Sequence, residues 1–204
     1  MIAIVDYGMG NLQSVLNAFK SVAPNLNIQI TSDPKKVDQA DRVVFPGQGA
    51  MPDCIKELEK NGLKDSVVNA SKNKPFLGIC IGLQMLFDES EEGNIKGLSL
   101  FDGKVKKFKP NNHFNKIPHM GWNQVNQVKN HYIWNGIANN ERFYFVHSYY
   151  VEPLEKKYIA AITNYESNFC SAVASENIFA VQFHPEKSAK SGLQLLKNFT
   201  SWRI

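Results

Sequence analysis

Short, unbroken apolar runs separated by segments of helical periodicity fill the first half of the chain, and they leave few folds open. Ile2 to Asp6 reads as a strand, and Leu12, Val15, Leu16 and Phe19 then recur at helical spacing within Leu12 to Ala23. Asn27 to Thr31 and Arg42 to Phe45 read as further strands, Leu58 to Ala70 as a helix, and Phe76 to Ile79 as a fourth strand. A strand that is apolar at every position has no face to offer water, so such strands belong in a parallel sheet covered by helices on both sides. From about Asp102 the strands become shorter and more aromatic: Val105 to Phe108, Phe143 to Tyr150, Tyr158 to Thr163, Ser171 to Ala174 and Ile178 to Phe183. A last helix, Gly192 to Trp202, carries Leu193, Leu196 and Phe199 on one face. The expected architecture is an α/β fold with an open, mainly parallel sheet, helices on both faces and an antiparallel extension. Length favours one core over two, so residues 1–204 are expected to form a single domain.

Charge and composition exclude several classes. The 23 basic and 19 acidic residues leave a formal charge of +4, too small and too scattered to point to nucleic acid. The densest basic run, Lys104-Val105-Lys106-Lys107-Phe108-Lys109, reads as an edge strand whose solvated charges discourage sheet-to-sheet pairing. Phe76 to Phe87 is the longest apolar stretch; it contains Gln84 and falls short of the roughly 20 residues of a membrane span. Three cysteines do not suit a disulfide scaffold, and no charged leader precedes the first strand, so a cytoplasmic location away from membranes is expected. His113, His119, His131, His147 and His184 show no paired spacing, so neither a metal site nor a cofactor is expected. Gly8-Met9-Gly10-Asn11 has Gln13 where a dinucleotide fingerprint places its third glycine; a tight turn with a helix cap at Asn11 fits better.

Cys80 stands between Gly78 and Gly82 where the fourth strand runs out. Ligands of parallel sheets collect outside the carboxyl ends of strands, and small residues on either side match a nucleophile elbow. A helix beginning near Gly82 would favour a thiolate at its N-terminus. The frame alone also suits a buried core cysteine, as the unframed Cys54 and Cys170 are read to be. Phe183-His184-Pro185-Glu186 follows another apolar strand. Pro185 favours an extended His184, so His184 and Glu186 can share one side of the chain, imidazole beside carboxylate. Pro46-Gly47-Gln48-Gly49, also after a strand, can offer the N–H of Gln48 beside that of Ile81 as an oxyanion hole.

These motifs resemble the class I (triad) glutamine amidotransferases. The general marks are Pro46 to Gly49, Gly78-Ile79-Cys80-Ile81-Gly82-Leu83-Gln84 and Phe183 to Glu186. Narrower marks are Asp6 to Leu12, Gly97 to Leu100, Ile117-Pro118-His119-Met120-Gly121-Trp122-Asn123, Phe145 to Tyr149 and Glu186-Lys187-Ser188. Within the family they resemble the glutaminases that serve a separately encoded (β/α)8-barrel cyclase of histidine biosynthesis. The resemblance implies that Cys80 attacks the glutamine side-chain amide, that His184 carries the proton to departing ammonia and that Glu186 orients His184. It implies substrate contacts at Gly49, Gln84, Ser148 and Tyr149, with Gln48 in a slot often held by valine and Ser148 in one often held by threonine. Nothing in the sequence looks able to use ammonia, so a heterodimer with the cyclase is expected. Met120 and Trp122 are the candidate apolar anchors of the docking surface, joined by Asn11 and Lys187. The competing readings are a glutaminase for another acceptor, of the anthranilate or pyridoxal phosphate type, and a catalytically silent binding subunit.

Overall fold

Unbroken apolar strands form the centre of the sheet. The computed structural model describes residues 1–109 and 116–204, and His113 lies outside them. In chain order, β1 (Ile2–Val5), α1 (Leu12–Val22), β2 (Ile28–Thr31), α2 (Pro34–Gln39), β3 (Arg42–Phe45), α3 (Met51–Lys60), α4 (Lys64–Asn73) and β4 (Phe76–Ile79) come first. A short helix α5 (Ile81–Gln84) leads to β5 (Phe87–Ser90), β6 (Ile95–Lys96), β7 (Phe101–Lys107), β8 (His119–Gln127), β9 (Glu141–His147) and β10 (Tyr149–Pro153). The chain ends with β11 (Ile159–Tyr165), β12 (Ser167–Ala174), β13 (Ile178–Val181) and α6 (Ala189–Ser201).

The order β2-β1-β3-β4-β13 is parallel throughout, and β12, β10 and β7 extend it antiparallel. β11, β8 and β9 branch from β12. The two faces of β1 show why no polar residue alternates along it. Ile2 and Ile4 pack with Val15, Phe19, Leu196 and Phe199 of α1 and α6, while Ala3 and Val5 pack with Ile55, Leu58 and Val67 of α3 and α4. Asn11 caps α1, its side chain accepting the Ser14 N–H at 3.4 Å. No helix among the described residues is long and apolar enough to cross a membrane.

Several expectations need correction. The segment from Leu58 to Ala70 belongs to two helices, α3 and α4, because the chain turns at Asn61 to Leu63. Phe143 to Tyr150 divides at Ser148: β9 pairs with β8, whereas β10 pairs with β7 and β12. The basic run is not an edge, since β7 lies between β10 and β5. Lys104 pairs with Glu89 on one neighbour and Lys106 with Glu152 on the other, and these cross-strand countercharges let a lysine-rich strand occupy the sheet interior. The strand expected from Ser171 begins at Ser167, so Cys170 lies within β12.

The glycine after the elbow is fixed by a close approach. A Cβ on Gly82 would stand 1.8 Å from the carbonyl oxygen of Phe45, so α5 and β3 would have to part. Gly82→Ala should cost at least about 3 kcal/mol of stability. Urea unfolding measures it, and an unchanged midpoint would contradict this account of the contact.

Candidate active site

Three neighbouring parallel strands end together. β4 lies between β3 and β13, with Gly78 opposite Phe45 and Ile79 opposite Val181. Their carboxyl ends therefore present the Pro46 to Gly49 loop, Cys80 and His184 side by side. The Cys80 N–H donates to the Val181 carbonyl at 2.8 Å, and the backbone then turns sharply, with Cys80 at φ 56° and ψ −109°. That positive φ is strained for a residue with a Cβ and matches the bend of an elbow. The helix expected to follow is a single turn. After Met85 the backbone bonds to Leu98 through Phe101 instead of continuing, so the dipole behind Cys80 is that of four residues.

His184 is held from both sides. Its N–H donates to the Tyr144 carbonyl at 2.9 Å, and Ser188 Oγ donates to its carbonyl at 2.6 Å. The 3-10 turn Pro185–Lys187 folds Glu186 back until Oε1 is 2.8 Å from His184 Nδ1, with both side chains 5% exposed. Burial works against a charged imidazole here, but the Cys80 sulfur and then the Glu186 carboxylate outweigh it and push His184 up to about 10. The sulfur acts by charge and proximity, because Nε2 meets no hydrogen-bond geometry with any described group. Burial instead pushes the Cys54 thiol up to about 11 and Cys170 up to about 12, where neither serves as a nucleophile at neutral pH.

Cys80 and His184 open onto a cavity of about 300 Å³. Gly49, Gln84, Ser148 and Tyr149 line it, as do Gln48 and Ile81. Gly49 has φ +118°, which a glycine adopts without strain. Gln84 points its amide inward: Nε2 donates to the Tyr149 carbonyl at 3.1 Å and to Gln182 Oε1 at 3.0 Å, which leaves its buried Oε1 without a partner among the described residues. No group of three or more metal-ligating side chains occurs among the described residues.

Glu92 and Gln182, at or behind this cavity, had no motif to mark them, and the motifs that contain His119 and His147 gave those rings no role. Glu92 lines it and accepts the Met51 N–H at 2.8 Å. Gln182, wholly buried, brings Nε2 to 3.7 Å from Cys80 Sγ. His119 Nδ1 and His147 Nε2 are 2.9 Å apart, while Asn123 Nδ2 reaches His119 Nε2 at 3.2 Å and His147 Nδ1 reaches the Tyr149 carbonyl at 2.7 Å. An amide nitrogen at one end must donate and a carbonyl at the other must accept. Both imidazoles are thereby fixed as neutral Nδ1–H tautomers. Only the spacing within the His119 to Asn123 motif hinted at this relay.

The expected docking residues gather on one face. Met120 is 63% and Trp122 47% exposed, on the outward side of β8. Trp122 meets the Tyr144 ring edge-on at 6.3 Å, and Lys187 Nζ lies 5.9 Å over the same ring. Exposed Asn11 and Lys187 border a small crevice that reaches His184 and Glu186. Tyr144, between the anchors, escaped sequence reasoning.

A model of the class-I glutamine amidotransferase family matches residues 3–201. A curated relative from Nitrosospira multiformis, imidazole glycerol phosphate synthase subunit HisH, is 57% identical over 99% of this chain and 98% of its own. The protein of the same description from Aromatoleum aromaticum is 56% identical over 98% of both. Among solved structures, one described as a glutamine amidotransferase superposes with a TM-score of 0.74 at 16% identity, covering 98% of each chain. Another glutamine amidotransferase, from Thermotoga maritima, gives 0.62 at 16% identity over 98% of this chain and 82% of that one. At such identities the likeness is one of fold.

The histidines make stability depend on pH with a definite sign. Burial holds His119 and His131 down to about 4 and His147 down to about 3. Below about pH 6.5 the unfolded chain protonates these rings while the folded protein does not, so stability falls as pH drops from about 6.5 toward 4. His184 acts oppositely, its contribution being complete below about 6.5 and lost as pH rises through about 10. Calorimetry at about pH 5.5 should show net proton uptake on unfolding; proton release there would contradict the assignment of neutral buried rings.

Proposed function

The chain belongs to the class-I glutamine amidotransferases, and from that membership we propose that it is the glutaminase subunit of an imidazole glycerol phosphate synthase in histidine biosynthesis. The relatives more than half identical over nearly their whole length support the subgroup. We read residues 1–204 as one amidotransferase domain acting in the cytoplasm, with its three cysteines unpaired.

The single observation that carries the chemistry is that Cys80 and His184, from segments remote in the chain, meet at one cavity, with Glu186 behind the imidazole at Nδ1. In the proposed mechanism the Cys80 thiolate attacks the side-chain amide carbon of glutamine. The resulting oxyanion takes the N–H groups of Gln48 and Ile81. His184 Nε2, without a hydrogen-bond partner among the described residues, delivers its proton to the amide nitrogen. The C–N bond breaks, ammonia leaves, and a γ-glutamyl thioester remains. His184 then takes a proton from water, the hydroxide oxygen bonds to the acyl carbon, and the sulfur departs as glutamate forms. Glu186 holds the imidazole through Nδ1 and favours its charged form, as an orienting carboxylate does.

Glutamine is a zwitterion, so its ammonium needs acceptors and its carboxylate needs donors. Glu92 and the unpaired Oε1 of Gln84 suit the ammonium, while the Ser148 hydroxyl, Tyr149 and the backbone of Gly49 offer donors. The ammonia goes to a (β/α)8-barrel cyclase, which converts a phosphoribulosyl formimino intermediate to imidazole glycerol phosphate and an aminoimidazole carboxamide ribotide. Met120 and Trp122, with Tyr144, Lys187 and Asn11 beside them, form the proposed docking face.

Mixing the chain with the barrel cyclase should give glutamine-dependent cyclase product, and Cys80→Ala should lower glutamate release by about 10³-fold or more. Iodoacetamide should label Cys80 preferentially, with glutamine protecting it; wild-type turnover in Cys80→Ala would end the reading. The Pro46 to Gly49 loop must also turn an N–H toward the oxyanion, and its glycines permit that peptide to flip. Glutaminase turnover should therefore be weak in the isolated chain and rise when the liganded cyclase binds. An isolated chain as fast as the complex would show that the loop needs no gating.

A further inference from the structure

We propose that Gln182 is a positioning residue for the nucleophile: its side-chain amide donates an N–H to the Cys80 sulfur, in an orientation set by Gln84. This rests on the reading of Cys80 as the nucleophile and adds a residue that reading does not include.

The placement follows from sheet register. Ile79 pairs with Val181, and the Cys80 N–H donates to the Val181 carbonyl. The next residue on each strand brings Cys80 and Gln182 together, although 102 positions separate them. The Gln182 N–H donates to the Ser171 carbonyl at 2.9 Å, so its backbone is tied to β12 as well. Its side chain is completely buried and does not border the cavity. A glutamine in such a place needs partners for both ends of its amide.

The direction of the amide is decided by a backbone carbonyl. The Tyr149 carbonyl can only accept, so the Gln84 atom 3.1 Å from it must be Nε2. The same Nε2 lies 3.0 Å from the Gln182 side chain, and the atom it meets there must accept, which makes it Oε1. Nε2 of Gln182 is what remains to face Cys80 Sγ, at 3.7 Å. The Tyr149 carbonyl is itself fixed by the donation from His147. A series of hydrogen bonds, each with one possible donor, thus ends on the sulfur.

An N–H aimed at sulfur favours the thiolate over the thiol, because an anion accepts far more strongly than a neutral S–H. Cys80 is only 7% exposed, so water solvates that anion poorly. The same donor would serve twice in the proposed reaction, before attack and again when sulfur leaves the thioester. It also holds the sulfur in one rotamer beside His184 without occupying space needed by glutamine.

A purely structural Gln182 would only satisfy Gln84, and the pH dependence of alkylation separates the two roles. In the full chain, Gln182→Met keeps the volume and removes the donor, and Gln182→Leu removes the donor with a branched, uncharged side chain. Iodoacetamide labelling of Cys80 should slow about tenfold at neutral pH in both, with the pH–rate profile displaced upward by about one unit and rates converging in alkali. Thermal unfolding checks that each variant is native. Should neither fold, Gln84→Met frees the Gln182 amide to rotate and should displace the profile the same way by less. A profile superimposable on wild type, or one lowered equally at every pH, would overturn the role of Gln182. Absence of preferential, glutamine-protected labelling in the wild type would instead overturn Cys80 as the nucleophile.

Discussion

The parallel pairing of β4 with β13 is the contact from which the site is built, because it alone sets a cysteine on one strand beside residues some hundred positions later on the other. One backbone hydrogen bond, Cys80 to Val181, closes that pairing at the last residue before the elbow. Beyond it the two strands diverge in purpose. β4 turns through a strained positive φ into one helical turn, while β13 runs on to Gln182 and His184 before Pro185 folds Glu186 back. A one-residue slip would exchange the inward and outward side chains of β13 and take both Gln182 and His184 away from the sulfur. The apolar packing of both sheet faces prevents such a slip, since Val181 and Ala180 lie in opposite clusters of the core.

The environment then gives chemically identical side chains different tasks. His119 and His147 are hydrogen-bonded to each other with no carboxylate in the relay, and burial keeps them neutral. His184 is buried as deeply, yet a carboxylate at 2.8 Å and the neighbouring sulfur raise it. The cysteines divide in the same way: Cys54 and Cys170 are carried up by burial, and Cys80 has an imidazole and an amide beside it. Residue type therefore says little about protonation here, and the nearest charged or hydrogen-bonding neighbour decides it.

Those neighbours also explain what the sequence could and could not disclose. Arg42 to Phe45 and Phe76 to Ile79 were legible to the residue, because a strand buried on both faces is a continuous apolar run. The elbow, the His-Pro-Glu turn and the glycine loop were legible because backbone constraints are written locally. β8 was not read as a strand: its outward positions carry Met120, Trp122 and Gln124, and its inward side holds His119 and Val125 around Gly121, a pattern without clean apolar alternation. The extent of the helix after Cys80 was not legible, because the bonds that end it at one turn come from Leu98 to Phe101. Gln182 and Glu92 belong to no local pattern, the relay histidines sit in motifs that do not disclose their pairing, and all these roles arise only where strands distant in sequence meet.

The central claim is that Cys80 is the atom carrier at this convergence. Acid-quenching the complex with the barrel cyclase during turnover of glutamine, followed by peptide mass analysis, tests it directly. The account predicts one γ-glutamyl acyl group on the peptide containing Cys80, labile to hydroxylamine as a thioester is. Steady glutamate formation with that peptide unmodified, or with the acyl group on another residue, would contradict it.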